Sequence, residues 1–158
     1  MEKTTEQSLK TDKIWIYQAQ NFFTPDLENQ LLEEGRKFVD EWVHHKKKVA
    51  AEFYILHRLF VILRSFSPVS GCGIDKSTHF IETLEKKYQI TLTDRMQVAF
   101  IENDQIINTH LHQIPELFLN KKINEDTLFF DNLIEDGSLF PHQLQKPFAQ
   151  SWLWNFRT

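Results

Sequence analysis

The sequence predicts a single α+β domain over residues 1–158, a ferredoxin-like βαββαβ core with an added hairpin strand and an aromatic-rich C-terminal extension. Three observations lead to this class. A chain of 158 residues suits one domain. Its first hundred residues alternate strand and helix signals in the order strand, helix, strand, strand, helix, strand. The 4 Gly and 5 Pro are scattered rather than gathered into a linker, and no repeat or low-complexity tract interrupts the pattern.

Residues 1–12 are polar and read as a frayed arm. Lys13 to Tyr17 is a short β-branched and aromatic run, a strand with Trp15 and Tyr17 on one face. Thr24, Pro25 and Asp26 then supply an N-cap, a proline at the first helical position and an acid in the first turn. On a helix Leu27, Leu31, Phe38, Val39 and Trp42 share one face, with Gly35 near its middle. Glycine there costs about 1 kcal/mol of helix propensity relative to alanine, so Gly35 is expected to be a point of close approach to the sheet. The run His44 to Lys48 is expected at the helix end, where the macrodipole favours cations, with His44 and His45 as surface residues.

Val49 to His57 and Leu59 to Phe66 are rich in Val, Ile, Phe and Tyr and predict two strands broken at His57-Arg58. No Asn-Gly pair marks that turn, and one buried helix over the same residues is the alternative. A second helix is predicted from about Asp75 to Tyr88, with Ile74, Ile81, Leu84 and Tyr88 on one face and His79 nearly opposite. Arg95 to Glu102 and Gln105 to Leu111 form a hairpin turning at Asn103-Asp104. Pro115 opens a short helix through Asn120, Thr127 to Phe130 reads as a strand, and the alternation Trp152, Trp154, Phe156 as another. This plan puts both long helices on one sheet face and leaves the other bare. The aromatic residues after Leu111 are expected to cover that face or to bind a second copy, so a homodimer is expected.

A net charge of −4 gives no general attraction to phosphate backbones, and the strand Leu59 to Phe66 lacks the aromatic run of RNA-recognition sheets, so no nucleic-acid partner is expected. The N-terminal stretch has no signal-peptide apolar run, and the apolar region Phe53 to Leu63 is broken by His57 and Arg58, so no membrane partner is expected. Cys72 is the only cysteine, which excludes an intrachain disulfide and fits a reducing cytoplasm.

The segment Ser70 to Ser77, S-G-C-G-I-D-K-S, ends like a phosphate-binding loop, but Ser70 and Asp75 stand where the two defining glycines belong, and Asp75 would repel the phosphate. ATP hydrolysis is not expected. This segment, with W-I-Y-Q at Trp15 to Gln18, T-P-D at Thr24 to Asp26 and D-R-M-Q-V at Asp94 to Val98, resembles a family of short bacterial proteins of unknown function, some of whose members carry the label "ABC transporter ATPase". The resemblance spans roughly residues 13 to 100 and brings no established activity with it.

Cys72 lies between two glycines ahead of a helix, where the dipole and free N–H groups raise thiolate character, and it is the candidate nucleophile or redox thiol. The competing reading is a small buried filler with Asp75 as N-cap. A histidine base is needed for chemistry. His79 is poorly placed for it, and His57, His110 or His112 could approach only through tertiary structure. Arg95 is a candidate clamp for a small anionic ligand. The candidate binding residues are Gln18, Gly71, Gly73, Asp75 and Arg95. His110 and His112 share a strand face and could supply two metal ligands, too few for a site, so no metal or cofactor is assigned. The leading expectation is a cytoplasmic binding or regulatory module that self-associates; the alternative is an enzyme using the loop from Ser70 to Ser77.

Overall fold

The computed structural model describes residues 12–44 and 46–158. The arm expected over residues 1–12, except Asp12, and the expected surface positions of the His44 and His45 side chains lie outside what the structure describes. The elements are β1 (Lys13–Gln18), α1 (Pro25–Glu41), β2 (Val43–His44), β3 (Lys47–Lys48), β4 (Ala51–Leu56), β5 (Phe60–Ser65), α2 (Gly71–Tyr88), β6 (Gln97–Glu102), β7 (Gln105–His110), α3 (Ile114–Leu119), β8 (Leu128–Phe130) and β9 (Gln145–Pro147). Short 3₁₀ turns follow β7 and β9 and occupy Gly137–Leu139 and Trp152–Phe156. The protein is mixed α+β. Among the described residues no helix is long and apolar enough to cross a membrane.

Two antiparallel sheets, ordered β1-β5-β4 and β7-β6-β8-β9, carry the fold. In the first, β5 pairs antiparallel with both neighbours, Ile16 facing Ile62 on one side and Tyr54 facing Ile62 on the other. This order, with α1 between β1 and β4, is that of a split βαβ unit. The expected ferredoxin-like sheet is not completed. Its fourth strand, β6, belongs to the second sheet, and the outer edge of β1 is taken by other groups. Ile14 N–H donates to the Glu135 carbonyl at 3.0 Å, Lys13 bridges Asp136, and the Arg95 guanidinium donates to the Ile16 carbonyl at 3.3 Å.

The two-residue side-chain period of a strand then assigns each layer. On one face of the first sheet Trp15 meets Trp42, and Phe53 meets Phe80, so α1 and α2 cover that face. On the other face Phe60 meets Phe130 of β8 with ring centroids 4.9 Å apart, and Tyr54 stacks on Phe140. The second sheet is divided in the same way. Ala99 and Phe130 join the first core, whereas Val98, Phe100 and Phe129 pack with Ile114, Ile123, Phe148 and Leu153 in a second core under α3 and the C-terminal turns. The result is four layers: helices, sheet, sheet, and short helices. The chain's own second sheet covers the face expected to be bare.

Thr24 caps α1 as expected, its Oγ1 accepting from Leu27 N–H at 3.2 Å, and Leu31, Val39 and Trp42 are buried. A Cβ at Gly35 would fall inside the Phe53 ring, which is the close approach the sequence signalled. α1 stops at Glu41, however, because Trp42 leaves the helix and its indole donates to the Gly73 carbonyl at 3.0 Å. The basic run is therefore not on the last turn of α1. It forms the ribbon β2–β3, turning at Lys46 with φ 65°.

The hairpin β4–β5 turns at His57 and Arg58 with φ of 55° and 52°, and β6–β7 at Asn103 and Asp104 with φ of 51° and 62°. Asn and Asp tolerate the left-handed region; for His and Arg it costs about 1–2 kcal/mol per residue. The first turn is held by its surroundings, with Phe23 N–H donating to Arg58 O at 2.7 Å and Ala19 N–H to Leu59 O at 2.8 Å. The Trp152, Trp154, Phe156 segment is a 3₁₀ turn rather than the expected strand, capped by Ser151, whose Oγ accepts from Leu153 N–H at 3.2 Å.

Replacing Gly35 with alanine forces α1 and β4 apart, and a loss of about 1–3 kcal/mol in unfolding free energy is expected. Urea unfolding of Gly35→Ala checks this; an unchanged midpoint would contradict the packing of Phe53 on α1.

Candidate functional site

A polar seam runs between the two sheets where the strand period calls for apolar side chains. Ile14 and Ile16 point into the inter-sheet core, and Gln18 continues their register with 3% of its surface exposed. Burying a carboxamide costs free energy unless its donors and acceptors are matched. Gln18 Nε2 donates to Asn108 Oδ1 of β7 at 2.8 Å, and Gln18 Oε1 accepts from Asn132 Nδ2 at 3.3 Å. Asn108 Nδ2 donates to the Gln20 carbonyl at 2.7 Å, and Asn132 Nδ2 to the Gln97 carbonyl of β6 at 3.0 Å. β1 is thus bonded directly to β7 and, through Asn132 just beyond β8, to β6. Asn132 Oδ1 is buried and has no hydrogen-bond partner among the described residues.

Asp94 and Arg95 precede β6 near the outer edge of β1, and His110 ends β7 opposite Gln97. Asp94 Oδ1 accepts from Met96 N–H at 2.9 Å and Oδ2 lies 3.3 Å from His110 Nε2. The Met96 N–H, with His110 and the Gln97 side chain assisting, holds the Asp94 carboxyl below the usual range. Arg95 is exposed, with its guanidinium carbon 5.3 Å from the centroid of the Tyr17 ring. Burial pushes the Tyr17 hydroxyl up, and the Arg95 charge opposes that shift. Away from the seam, Lys146 of β9 pairs with Asp131 just beyond β8, its Nζ 2.6 Å from Asp131 Oδ2.

The segment Ser70 to Ser77 is helical from Gly71, not from Asp75. Ser70 is the N-cap, its Oγ accepting from Gly73 N–H at 3.4 Å, so Asp75 is not the cap. Gly71, Cys72 and Asp75 are exposed on the first turns, while Gly73 is buried against Val69. The exposed thiol does not fit the buried-filler reading. Residues that a phosphate cradle would need as loop are already helix, and the Ser77 hydroxyl is buried and donates to the Ile74 carbonyl at 2.6 Å.

Of the residues singled out in the sequence, Gln18 belongs to the seam and Arg95 to the adjoining outer edge of β1, whereas Gly71, Cys72, Gly73 and Asp75 belong to the start of α2. No hydrogen bond or ion pair links the two groups among the described residues. His79 is exposed on the outer side of α2, as expected. His57 stacks edge-on to Phe130. β7 ends at His110, so His112 lies on the following 3₁₀ turn, not on the same strand, and its N–H donates to His110 Nδ1 at 3.4 Å. With Nδ1 accepting, His110 presents Nε2 to Asp94. Among the described residues no group of three or more His, Cys, Asp or Glu is placed to hold a metal ion.

Asn108 and Asn132 were not singled out in the sequence. Their signal was there in one form: a carboxamide two residues beyond Ile106 and two beyond Phe130, in the inward register of each segment. No family model, curated protein or solved structure matches the chain.

Gln18→Leu leaves Asn108 Oδ1 without its donor inside the seam, and a destabilisation of about 1–3 kcal/mol is expected. Thermal unfolding of Gln18→Leu beside Gln18→Leu/Asn108→Leu checks it. The double variant, which removes both partners, should regain part of the loss; a further full-sized drop would show that the bond is not the source.

Proposed function

We propose that this protein is a cytoplasmic binding module that works as a pair of copies and takes a small anionic ligand at Arg95, on the outer edge of β1. The observation that carries the reading is Arg95. Its guanidinium is exposed, yet the Ile16 carbonyl and the Tyr17 ring fix its plane. A planar fork held in advance loses little entropy on pairing with a carboxylate or phosphate. One bond to Ile16 leaves the other N–H donors of the fork uncommitted among the described residues. The resemblance to short bacterial proteins adds no activity, and the helical start of α2 argues against nucleotide hydrolysis there.

The test is thermal unfolding against a panel of carboxylates and inorganic phosphate at matched ionic strength. A ligand present at a hundred times its Kd adds about 2.7 kcal/mol to the unfolding free energy. At least one anion should raise Tm in a saturable way in the native protein and fail to do so in Arg95→Met. No saturable shift with any anion sinks the reading.

A second reading, a thiol enzyme or redox protein at Cys72, is favoured by one observation: the thiol is exposed on the first turn of an 18-residue helix. It requires Cys72 in the native protein to react with iodoacetamide faster than a simple model thiol at the same pH. A rate equal to or below that of the model thiol leaves Cys72 as a surface residue.

A further inference from the structure

The end of α3 and the loop that follows it enclose an open groove of about 710 Å³, lined by Phe118, Leu119, Lys121, Ile123, Glu125 and Asp126 among others. Its floor is apolar: Ile123 is buried at 1% exposure, and Phe118 packs edge-on against Trp154. Beside it stands Leu119, 80% exposed, the most exposed large apolar side chain among the described residues. A single exposed leucine is ordinary on a monomer. Here the projecting apolar side chain adjoins an apolar recess of its own chain, and a cation and two anions flank both.

We infer that this groove is the contact surface between two copies of the chain, Leu119 of each seating in the recess of the other about a twofold axis. The inference rests on the self-association reading above and assigns it a place. Three features fit a second copy in particular. A twofold interface is self-complementary, so it needs knob and hole on one patch, and Leu119 and the Phe118–Ile123 recess are such a pair. Where such a patch is charged it must carry both signs to complement itself, and Lys121 stands with Glu125 and Asp126 along the same groove.

The third feature is that the walls are already set. Lys121 and Lys122 N–H groups donate to the Phe118 and Leu117 carbonyls at 3.1 and 2.9 Å, closing α3 with Lys121 at φ 59°. Asn124 N–H donates to Thr127 Oγ1 and Asp126 N–H to Asn124 Oδ1, both at 2.8 Å, which fixes the acidic wall. A surface held in advance keeps the ordering cost of association low.

Sedimentation equilibrium from about 1 to 100 μM, a range that brackets weak homodimers, tests the inference on the full chain. The native protein should show a reversible dimer. Leu119→Glu should weaken dimerisation by at least about thirtyfold, with unchanged far-UV circular dichroism because Leu119 is exposed. Lys121→Glu should weaken it by about threefold, and Lys121→Glu combined with Glu125→Lys and Asp126→Lys should restore it. A native protein that is monomeric throughout overturns self-association altogether. A dimer that Leu119→Glu leaves intact overturns only this surface and leaves the pairing to another face.

Discussion

Phe60 of β5 and Phe130 of β8 meet across the interior with ring centroids 4.9 Å apart, and the arrangement of the chain follows from the need to bring those rings together. A sheet whose strands are buried on both faces must find two coverings. Phe60, Val61, Ile62 and Leu63 have no exposed surface, and α1 and α2 can serve only one side of them. The second sheet supplies the other covering, at the cost of removing β6 from the first. Placing β6 beside β1 would have completed the smaller sheet and left Phe60, Ile62 and Ile16 bare.

The seam of carboxamides is set into an otherwise apolar contact between the two stacked sheets. Apolar packing alone lets facing sheets slide by small steps, whereas hydrogen bonds from Gln18 to Asn108 and Asn132 are satisfied in one register only. The same bonds set the position of β1 against β6 and β7, and with it the place of Arg95 over Tyr17. The candidate ligand site therefore depends on a buried network that no ligand would touch. Asp94 adds to this arrangement at the surface, tying the approach to β6 to the end of β7 through Met96 and His110.

Features set by neighbours in sequence were legible. Thr24, Pro25 and Asp26 marked the start of α1, Asn103-Asp104 marked a tight hairpin, and Gly35 marked the contact with Phe53, because each signal is local or follows the helical period. The missing fourth strand was not legible, since it depends on Glu135 and Arg95 meeting β1 from far along the chain. The His57-Arg58 turn carried no suitable turn residues and is held by Phe23 and Ala19 instead. Trp152, Trp154 and Phe156 alternate like a strand, yet Trp154 packs on Phe148 and Phe118 while Trp152 packs on Phe156, contacts that a compact turn satisfies. Gln18 and Arg95 were named from the sequence as candidate ligand contacts, and Asn108 and Asn132, the partners of Gln18, were not, because a polar residue in an inward register gains meaning only when the facing sheet is known.

The outer side of β1 shows how the fold protects itself while keeping a strand at the margin of a sheet. An open strand edge is a template on which another chain can add itself, and such growth leads to fibrils or exchanged segments. Here the backbone groups of Ile14 and Ile16 are bonded to Glu135 and to the Arg95 side chain. A guanidinium can end a ladder but cannot extend it, since it offers donors and no acceptor to a following strand. Arg95 therefore makes β1 a terminus for sheet growth, so that a second copy cannot add a strand along that edge.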